Sequence, residues 1–534
     1  MAPLTDDLQP DACWHALRSR DARFDGCFFT AVTSTGIYCR PVCRARTPRR
    51  ENCRFFRHAA QAERAGFRPC LRCRPELAPQ ALWWSSQDAP AILAREAARL
   101  LDQPEALSGG GGMPALAARL GVSDRHLRRV FEAELGVSPL QYLQTRRLLT
   151  AKQLLADTRL PVTQVAALSG FASLRRFNAA FVQHYGLNPT QLRREGHAPE
   201  PACGAAVRLG LRPPYDVRAM LAFFARRAID GVERVDADAG LLARTLAVQA
   251  QGRVHAGWFE ARFVPERHLL LLRVADALTP VLPQLIARVR ATFDLDADPQ
   301  AISAVLAADF PDSDGLRVPG GPCGFELAVR AVLGQQVTVA AARTLAARLV
   351  EHFGEPLPTP LAGVQRLFPA APVLAGVPAE ALGALGIVRQ RQAAILALAQ
   401  AVAQERLVLS AAAPREATLA QLQAMPGIGA WTAQYLAMRV LRWPDAFPAG
   451  DVALQQALGV RDAPHPARAA TARAEAWRPW RSYAVLRAWA GRARPTGDLA
   501  APGAADALAA AGPIAAAPAP APAPAPAAVR IQAP

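Results

Sequence analysis

The chain has 534 residues, enough for three or four domains that each bury a core. It carries 61 Lys+Arg against 44 Asp+Glu, a formal charge of +17 with a pI near 10.5, which favours a polyanionic partner such as nucleic acid or an anionic membrane surface. Against the membrane, no stretch is long and apolar enough to span one, and the first residues, MAPLTDDLQPD, lack the basic and apolar regions of a signal peptide; the expectation is a cytoplasmic protein. Nearly all the positive charge is arginine, and Lys152 is the only lysine.

Of nine cysteines, Cys13, Cys27, Cys53, Cys203 and Cys323 have no notable spacing. The other four stand as Cys39-x3-Cys43 and Cys70-x2-Cys73, the spacing of a tetrahedral zinc site. Disulfides are not expected in a cytosolic chain, and a metal would hold together a domain with too small a core of its own. Phe28–Val32, Thr35–Arg46 and Gly66–Cys73 closely resemble the amino-terminal domain of the Ada methylphosphotriester repair family. That resemblance implies a small zinc-bound α+β domain over 1–82 holding one Zn²⁺, with Cys39 as methyl acceptor and Cys43, Cys70 and Cys73 as the other ligands. The chemistry is coherent, because zinc keeps a thiolate deprotonated at neutral pH and thiolate is the form that attacks a methyl carbon. Four thiolates on Zn²⁺ leave a net charge of −2, which methylation cuts to −1, so repulsion from phosphate falls and DNA affinity rises. A purely structural zinc site has the same spacing. Arg40, Arg44, Arg46, Arg49 and Arg50 are candidate phosphate contacts, although a bare charge run also reads as a solvated face.

A helix is expected over Ala89–Leu101, then a flexible linker at Ser108–Gly112. Pro114–Ser123 offers a short helix, a glycine turn and an N-cap, followed by a helix from Asp124 to Leu135, the parts of a helix-turn-helix. The same grammar returns at Val162–Tyr185, with a second helix from Leu174 to His184, and the long helix Pro139–Ala156 joins the two units. This repetition resembles the AraC-type DNA-binding domain, an all-α unit over 83–197 whose second helices would enter the major groove. They offer Arg125, His126, Arg128 and Arg129 on the first, and Arg175, Arg176 and Asn178 on the second. A helical protein-interaction module fits the same pattern.

From Val207 the pattern turns to period two, with strands expected at Val207–Leu211, Leu241–Gln249, Arg253–Phe259 and His268–Val274, and helices at Val217–Ile229 and Pro280–Phe293. This region, 205–297, resembles the amino-terminal antiparallel α+β subdomain of AlkA-type glycosylases, and its expected role is scaffold.

Helical sequence follows, and within 298–495 the stretch Met425–Asp451 organises the rest. Pro426-Gly427-Ile428-Gly429 supplies two glycines that can adopt φ > 0 and bare N–H groups at the start of a helix near Ala430, a nest that holds a phosphate. Asp451 follows after Phe447-Pro448-Ala449-Gly450. Together with Trp477–Ala484, this resembles the helix-hairpin-helix DNA glycosylases of the AlkA-type 3-methyladenine branch. The resemblance implies Asp451 as the catalytic carboxylate, Gly427 and Gly429 as DNA-binding residues, Trp431, Tyr435 and Trp489 as the pocket for a flipped, electron-poor base, and Gln336, within Phe325–Thr338, as the wedge that replaces it. Plainer readings stand beside these: Asp451 is a respectable N-cap, and the three aromatics are ordinary core residues. A polar wedge stacks less well than the apolar one of the family's best-known member, so substrate preference would differ. Bifunctional members place a Schiff-base lysine just after the hairpin, where this chain has Trp431, and no cysteine follows Cys323 to form an iron–sulfur cluster.

The whole therefore reads as a multidomain, mainly α protein that excises alkylated bases such as 3-methyladenine and 7-methylguanine and senses methylphosphotriesters. The alternative is a methylation-activated transcriptional regulator of the adaptive response whose glycosylase domain is secondary or inactive. Partners would be double-stranded DNA, alkylated or operator, with RNA polymerase a further candidate; no membrane partner is expected, and two reading helices on one chain suit a monomer. No Pro-Cys-His-Arg motif occurs, so the second Ada methyltransferase domain is not expected. The Ala/Pro-rich stretch 496–534 would be an extended, disordered tail.

Overall fold

The computed structural model describes residues 8–79, 89–103, 112–195, 205–250 and 252–492. Most of the expected glycine linker, the segment around 82, the segment around 200 and the tail from 496 lie outside them.

In residues 8–79 a four-stranded sheet runs in the order β3-β1-β2-β4: β1 Phe29–Val32, β2 Ile37–Cys39, β3 Cys53–Phe56 and β4 Arg68–Pro69. β1 pairs antiparallel with β2 and β3, while β2 and β4 pair in parallel. The core is small. Phe29, Ala31, Tyr38, Ala59, Ala62 and Phe67 pack together, and Leu149, from the helix Pro139–Asp157, completes the cluster. The unit therefore leans on its neighbour.

Two helix pairs follow, and their recognition helices are built alike. Asp124–Leu135 is capped by Ser123, whose hydroxyl accepts from the His126 N–H at 3.2 Å, and it ends at Gly136 with φ +66°. Leu174–Tyr185 is capped by Ser173, which accepts from the Arg176 N–H at 3.3 Å, and it ends at Gly186 with φ +69°. Each cap satisfies one orphan amide, and each glycine takes the left-handed turn at no steric cost. Pro139–Asp157 joins the two pairs, one residue longer than expected.

The third unit is a five-stranded antiparallel sheet in the order β5-β9-β8-β7-β6, with β5 Ala205–Gly210, β6 Glu233–Asp236, β7 Leu241–Ala250, β8 Arg253–Val264 and β9 Leu269–Val274. The short charged β6 was not expected. The helix from Val217 ends at Ala225, short of the expected Ile229, and Pro280 belongs to a 3-10 turn before the helix Leu282–Phe293. A helical body then runs from Pro299 to Arg492. One apolar core joins this body, the sheet and the second helix-turn-helix.

Buried polar groups tie the zinc-spacing unit to its neighbours. Arg212 is fully buried; its Nε donates to the Asp25 carbonyl at 2.7 Å, its Nη1 to the Asp296 carbonyl at 2.8 Å and its Nη2 to the Pro79 carbonyl at 3.1 Å. Lys152 donates to Glu76 Oε2 at 2.6 Å and to the Cys70 carbonyl at 3.1 Å, and Arg74 joins Glu76 to Asp157. At Gly210 a Cβ would lie 2.1 Å from the Leu77 carbonyl oxygen, so only glycine admits this approach. Among the described residues no helix is long and apolar enough to cross a membrane.

Candidate active site and metal centre

The parallel pairing of β2 with β4 aligns Tyr38 with Pro69, and the Cys70 N–H donates to the Tyr38 carbonyl at 2.9 Å. This sets Cys39 beside Cys70, and the turns that follow bring in Cys43 and Cys73. All four sulfurs lie within 4.8 Å of one another. A tetrahedral zinc with Zn–S of about 2.3 Å requires sulfurs about 3.8 Å apart, so the cluster fits a zinc ion. Cys43 and Cys70 are buried, whereas Cys39 and Cys73 keep some exposure. The Arg40 N–H donates to Cys73 Sγ at 3.4 Å. The Arg40 side chain corrects an expectation: it is buried, paired with Asp25, and donates to the Cys73 carbonyl at 3.0 Å, so it braces the cluster and is not a phosphate contact. Arg44, Arg46 and Arg49 are exposed.

In the hairpin, Gly427 takes φ +73°, and a Cβ there would meet the Gln390 carbonyl oxygen and Ala394 Cβ, both at 3.1 Å. Gly429 differs from the expected pair of left-handed glycines: it caps the helix Ala430–Arg439 in extended backbone, with φ −83°, and is exposed. Asp451 is 4% exposed and caps the helix Val452–Ala457, accepting from the Leu454 N–H at 2.7 Å. It also accepts from two indoles, Trp431 Nε1 at 2.8 Å on Oδ2 and Trp489 Nε1 at 3.1 Å on Oδ1. The capping geometry and the aromatic contacts thus coexist on one carboxylate.

Trp431, Tyr435 and Trp489 all line a cavity of about 140 Å³. Trp431 stacks on Tyr435 with centroids 5.2 Å apart and planes at 14°. The remaining wall includes Phe223, Arg227 and Arg244 from the sheet unit. That unit is therefore more than scaffold. Phe223 lies on the helix Val217–Ala225 and Arg227 in the turn just after it, but nothing in the local sequence says which helix they will meet. Arg439 had a findable signal, since it follows Tyr435 by four residues on the hairpin helix. Its guanidinium bonds the Tyr435 hydroxyl and donates to the Pro319 and Gly320 carbonyls at 2.8 and 3.1 Å. Burial would raise the Tyr435 hydroxyl, but the nearby Arg439 and Arg227 charges outweigh it and hold it below the usual tyrosine range. Burial likewise draws Arg227 down to about 9. Arg244 and Arg330 close a ring with Glu233 and Glu326, with contacts of 2.6 to 3.1 Å.

Gln336 is exposed, with φ +55°. Its neighbour Gln335, not singled out before, fixes the loop: Nε2 donates to the Gly427 carbonyl and to Thr432 Oγ1, both at 2.9 Å. On the recognition helices Arg125, Arg128, Arg129, Arg175 and Arg176 are exposed; Arg128 pairs with Asp124 at 2.9 Å and Arg129 contacts His126 at 3.1 Å.

Four family models match in order: the metal binding domain of Ada at 12–76, a helix-turn-helix domain at 116–195, the AlkA N-terminal domain at 206–322 and the HhH-GPD superfamily base excision DNA repair protein at 329–482. DNA-3-methyladenine glycosylase 2 of Escherichia coli (strain K12) is 38% identical over 294 residues, covering 53% of this chain and 95% of its own. The bifunctional transcriptional activator/DNA repair enzyme Ada of the same strain is 35% identical, over 36% of this chain and 50% of its own length. The probable bifunctional transcriptional activator/DNA repair enzyme AlkA of Mycobacterium tuberculosis (strain ATCC 25618 / H37Rv) is 38% identical over 496 residues, 91% of this chain and 96% of that protein. At 38% identity over nearly the whole of that relative, and with these four domain matches of its own, the chain belongs to this family of bifunctional transcriptional activator/DNA repair enzymes.

Proposed function

We propose that the protein hydrolyses the N-glycosidic bond of alkylated purines of the 3-methyladenine and 7-methylguanine type, with Asp451 as its catalytic carboxylate. The observation that carries this reading is the position of Asp451 at the indole edges of Trp431 and Trp489, two walls of the cavity. A base inside the cavity would leave its sugar beside the carboxylate. A ring-alkylated purine is already cationic, so its glycosidic bond breaks without protonation of the leaving group, and one anion near the oxocarbenium-like sugar suffices. Ionised Asp451 would also orient or deprotonate the attacking water. Trp431 and Tyr435 offer a stacked face to the electron-poor ring.

The reading makes the enzyme monofunctional. The only lysine, Lys152, is 2% exposed and engaged with Glu76, so it is not a candidate for a Schiff base at the sugar. Gly427, Gly429 and Gln336 would hold the opened duplex, and Gln336 would fill the vacated place.

At the other end of the chain, Cys39, Cys43, Cys70 and Cys73 would hold a single zinc, whose chemistry is to keep thiolates ionised at neutral pH. Cys39, which ends β2 and is one of the two partly exposed members, would accept a methyl group from a methylphosphotriester, and Arg46 would contact the adjoining backbone. Arg125, Arg128, Arg129, Arg175 and Arg176 would read operator DNA as a monomer in the cytoplasm, where RNA polymerase is the partner an activator requires.

The test is single-turnover treatment of methylated duplex DNA with the zinc-loaded full chain. Release of free 3-methyladenine or 7-methylguanine, with strands that stay intact until alkali is added, supports the monofunctional assignment. Strand cleavage coincident with base release overturns that assignment, and no release overturns the glycosylase reading itself.

A further inference from the structure

The small sheet that carries Cys39 has two faces. Phe29, Ala31 and Tyr38 point into the core that Leu149 completes, so by the two-residue period of a strand Thr30 and Cys39 point to the other face. The register makes these two direct neighbours: Thr30 on β1 is the antiparallel partner of Cys39 on β2, and on its other side it faces Phe55 of β3. Directly opposed residues hold their Cβ atoms about 4.5–5.5 Å apart, close enough for the two side-chain heads to meet.

Thr30 is fully buried, and its hydroxyl has no hydrogen-bond partner among the described residues. A buried hydroxyl left unpaired is costly, and valine would fill the same shape in a strand equally well. The neighbours on this face narrow the choice of partner. Val32, two residues on, is apolar, and the Phe55 ring lies edge-on to Phe28 with centroids 5.8 Å apart. Cys39, across the pair, offers a sulfur. That sulfur becomes a strong acceptor once the cluster holds a metal, because a coordinated thiol is an anion.

We propose that Thr30 is a positioning residue for the methyl acceptor: in the metal-loaded protein its hydroxyl donates to the Cys39 sulfur, steadies the thiolate in the cluster and moderates its nucleophilicity. The assignment rests on the reading of Cys39 as acceptor. Methyl transfer forms the S–C bond and breaks the methyl C–O bond, whose electron pair leaves on the phosphodiester oxygen. The sulfur ends as a thioether, which is a weak acceptor, so the bond from Thr30 weakens in the same event.

The test uses the full chain with Thr30→Val, which keeps the shape and removes the donor, and Thr30→Ser, which keeps the donor. Zinc affinity is read by competition with a colorimetric chelator, and the sulfur-to-metal charge-transfer band is recorded after loading with cobalt. Valine is expected to weaken zinc binding roughly tenfold, the low end of what a hydrogen bond to an ionised group contributes, and to move the band to lower energy. Serine should stay near the parent in both. Cys39 should react with methyl iodide about threefold faster in the valine variant, since nucleophilicity follows basicity with a slope of about 0.4–0.5. In a Cys39→Ala background the effect of valine on zinc affinity should vanish. Zinc binding unchanged or tightened by valine, as for a hydroxyl that never finds a partner, overturns the proposal, and so does a valine effect that persists without Cys39. Peptide mass mapping of the parent after exposure to DNA bearing methylphosphotriesters identifies the acceptor separately. If the methyl group is found elsewhere or nowhere, the reading of Cys39 as acceptor fails, and the zinc and cobalt measurements still decide whether Thr30 donates to its sulfur.

Discussion

Replacing Lys152 by methionine probes the seam between the zinc-holding unit and the reader helices. Lys152 and Glu76 are 2% and 1% exposed at the side chain and 2.6 Å apart, and Arg74 shares Glu76 at 2.9 Å. Burial alone would raise the Glu76 carboxyl, but Lys152 and Arg74 outweigh it and hold it below the usual carboxylate range. Removing one partner of a buried ion pair costs about 3–5 kcal/mol because an uncompensated charge remains. Arg74 stays in place, so the expected loss is near the lower end, about 3 kcal/mol. Methionine matches the lysine stem in volume, which keeps a cavity term small. The assay is denaturant unfolding of the zinc-loaded full chain, followed by zinc release to a colorimetric chelator. The double variant Lys152→Met/Glu76→Leu should recover more than half of the loss, since it leaves no buried carboxylate beside Arg74 without its second cation. The pH dependence has a definite sign. A carboxyl held low in the folded state contributes stability above its unfolded value, near 4.3, and loses it as pH falls through the lower folded value. Without Lys152 that depression weakens, so zinc release on acidification begins at higher pH. A loss below about 1 kcal/mol, far under the range for a broken buried pair, or a fully additive double variant, would refute the account of this seam.

The two hairpin glycines should behave differently. Gly427→Ala puts a Cβ 3.1 Å from Ala394 Cβ and the Gln390 oxygen at φ +73°, costing about 1–2 kcal/mol for the left-handed backbone alone and weakening binding to an abasic-site duplex. Gly429→Ala, at φ −83° with nothing within 4 Å, should leave thermal stability nearly unchanged; equal effects would contradict the hairpin geometry. At the metal centre, exposure to DNA bearing methylphosphotriesters should raise the affinity of the parent protein for duplex DNA. One charge about 4 Å from a phosphate is worth about 1 kcal/mol in water, roughly fivefold, and fades with added salt. Cys39→Ala should show no response; a response equal to the parent's would remove Cys39 as the acceptor.

The most legible parts were those where chemistry is packed into a short spacing. Cys39-x3-Cys43 and Cys70-x2-Cys73 announced their cluster because four ligands of one ion must meet. Ser123 marked the start of its helix because a cap is a local device. Asp451 was legible through its distance from the hairpin, yet its indole partners depend on how three helices pack. What escaped was set by distant contact. Phe223, Arg227 and Arg244 reach the cavity from a sheet unit some two hundred residues upstream of the hairpin, and no local pattern encodes that meeting. Arg40 looked like one more member of a basic run until Asp25 buried it. Gln335 and Gln336 are the same residue side by side, and only the backbone decides which turns inward to Gly427 and which faces out.

The central claim is that Asp451 performs the chemistry. Asparagine keeps the cap on the Leu454 N–H, because Asn and Asp are equivalent N-caps, and it removes the charge. Single-turnover release of 3-methyladenine and 7-methylguanine from methylated duplex DNA, measured for the parent and Asp451→Asn beside their affinities for an abasic-site duplex, tests this directly. The account predicts a rate lower by at least about 10²–10³, the scale of losing one oriented electrostatic group, with DNA affinity nearly intact. Normal turnover by Asp451→Asn would contradict it.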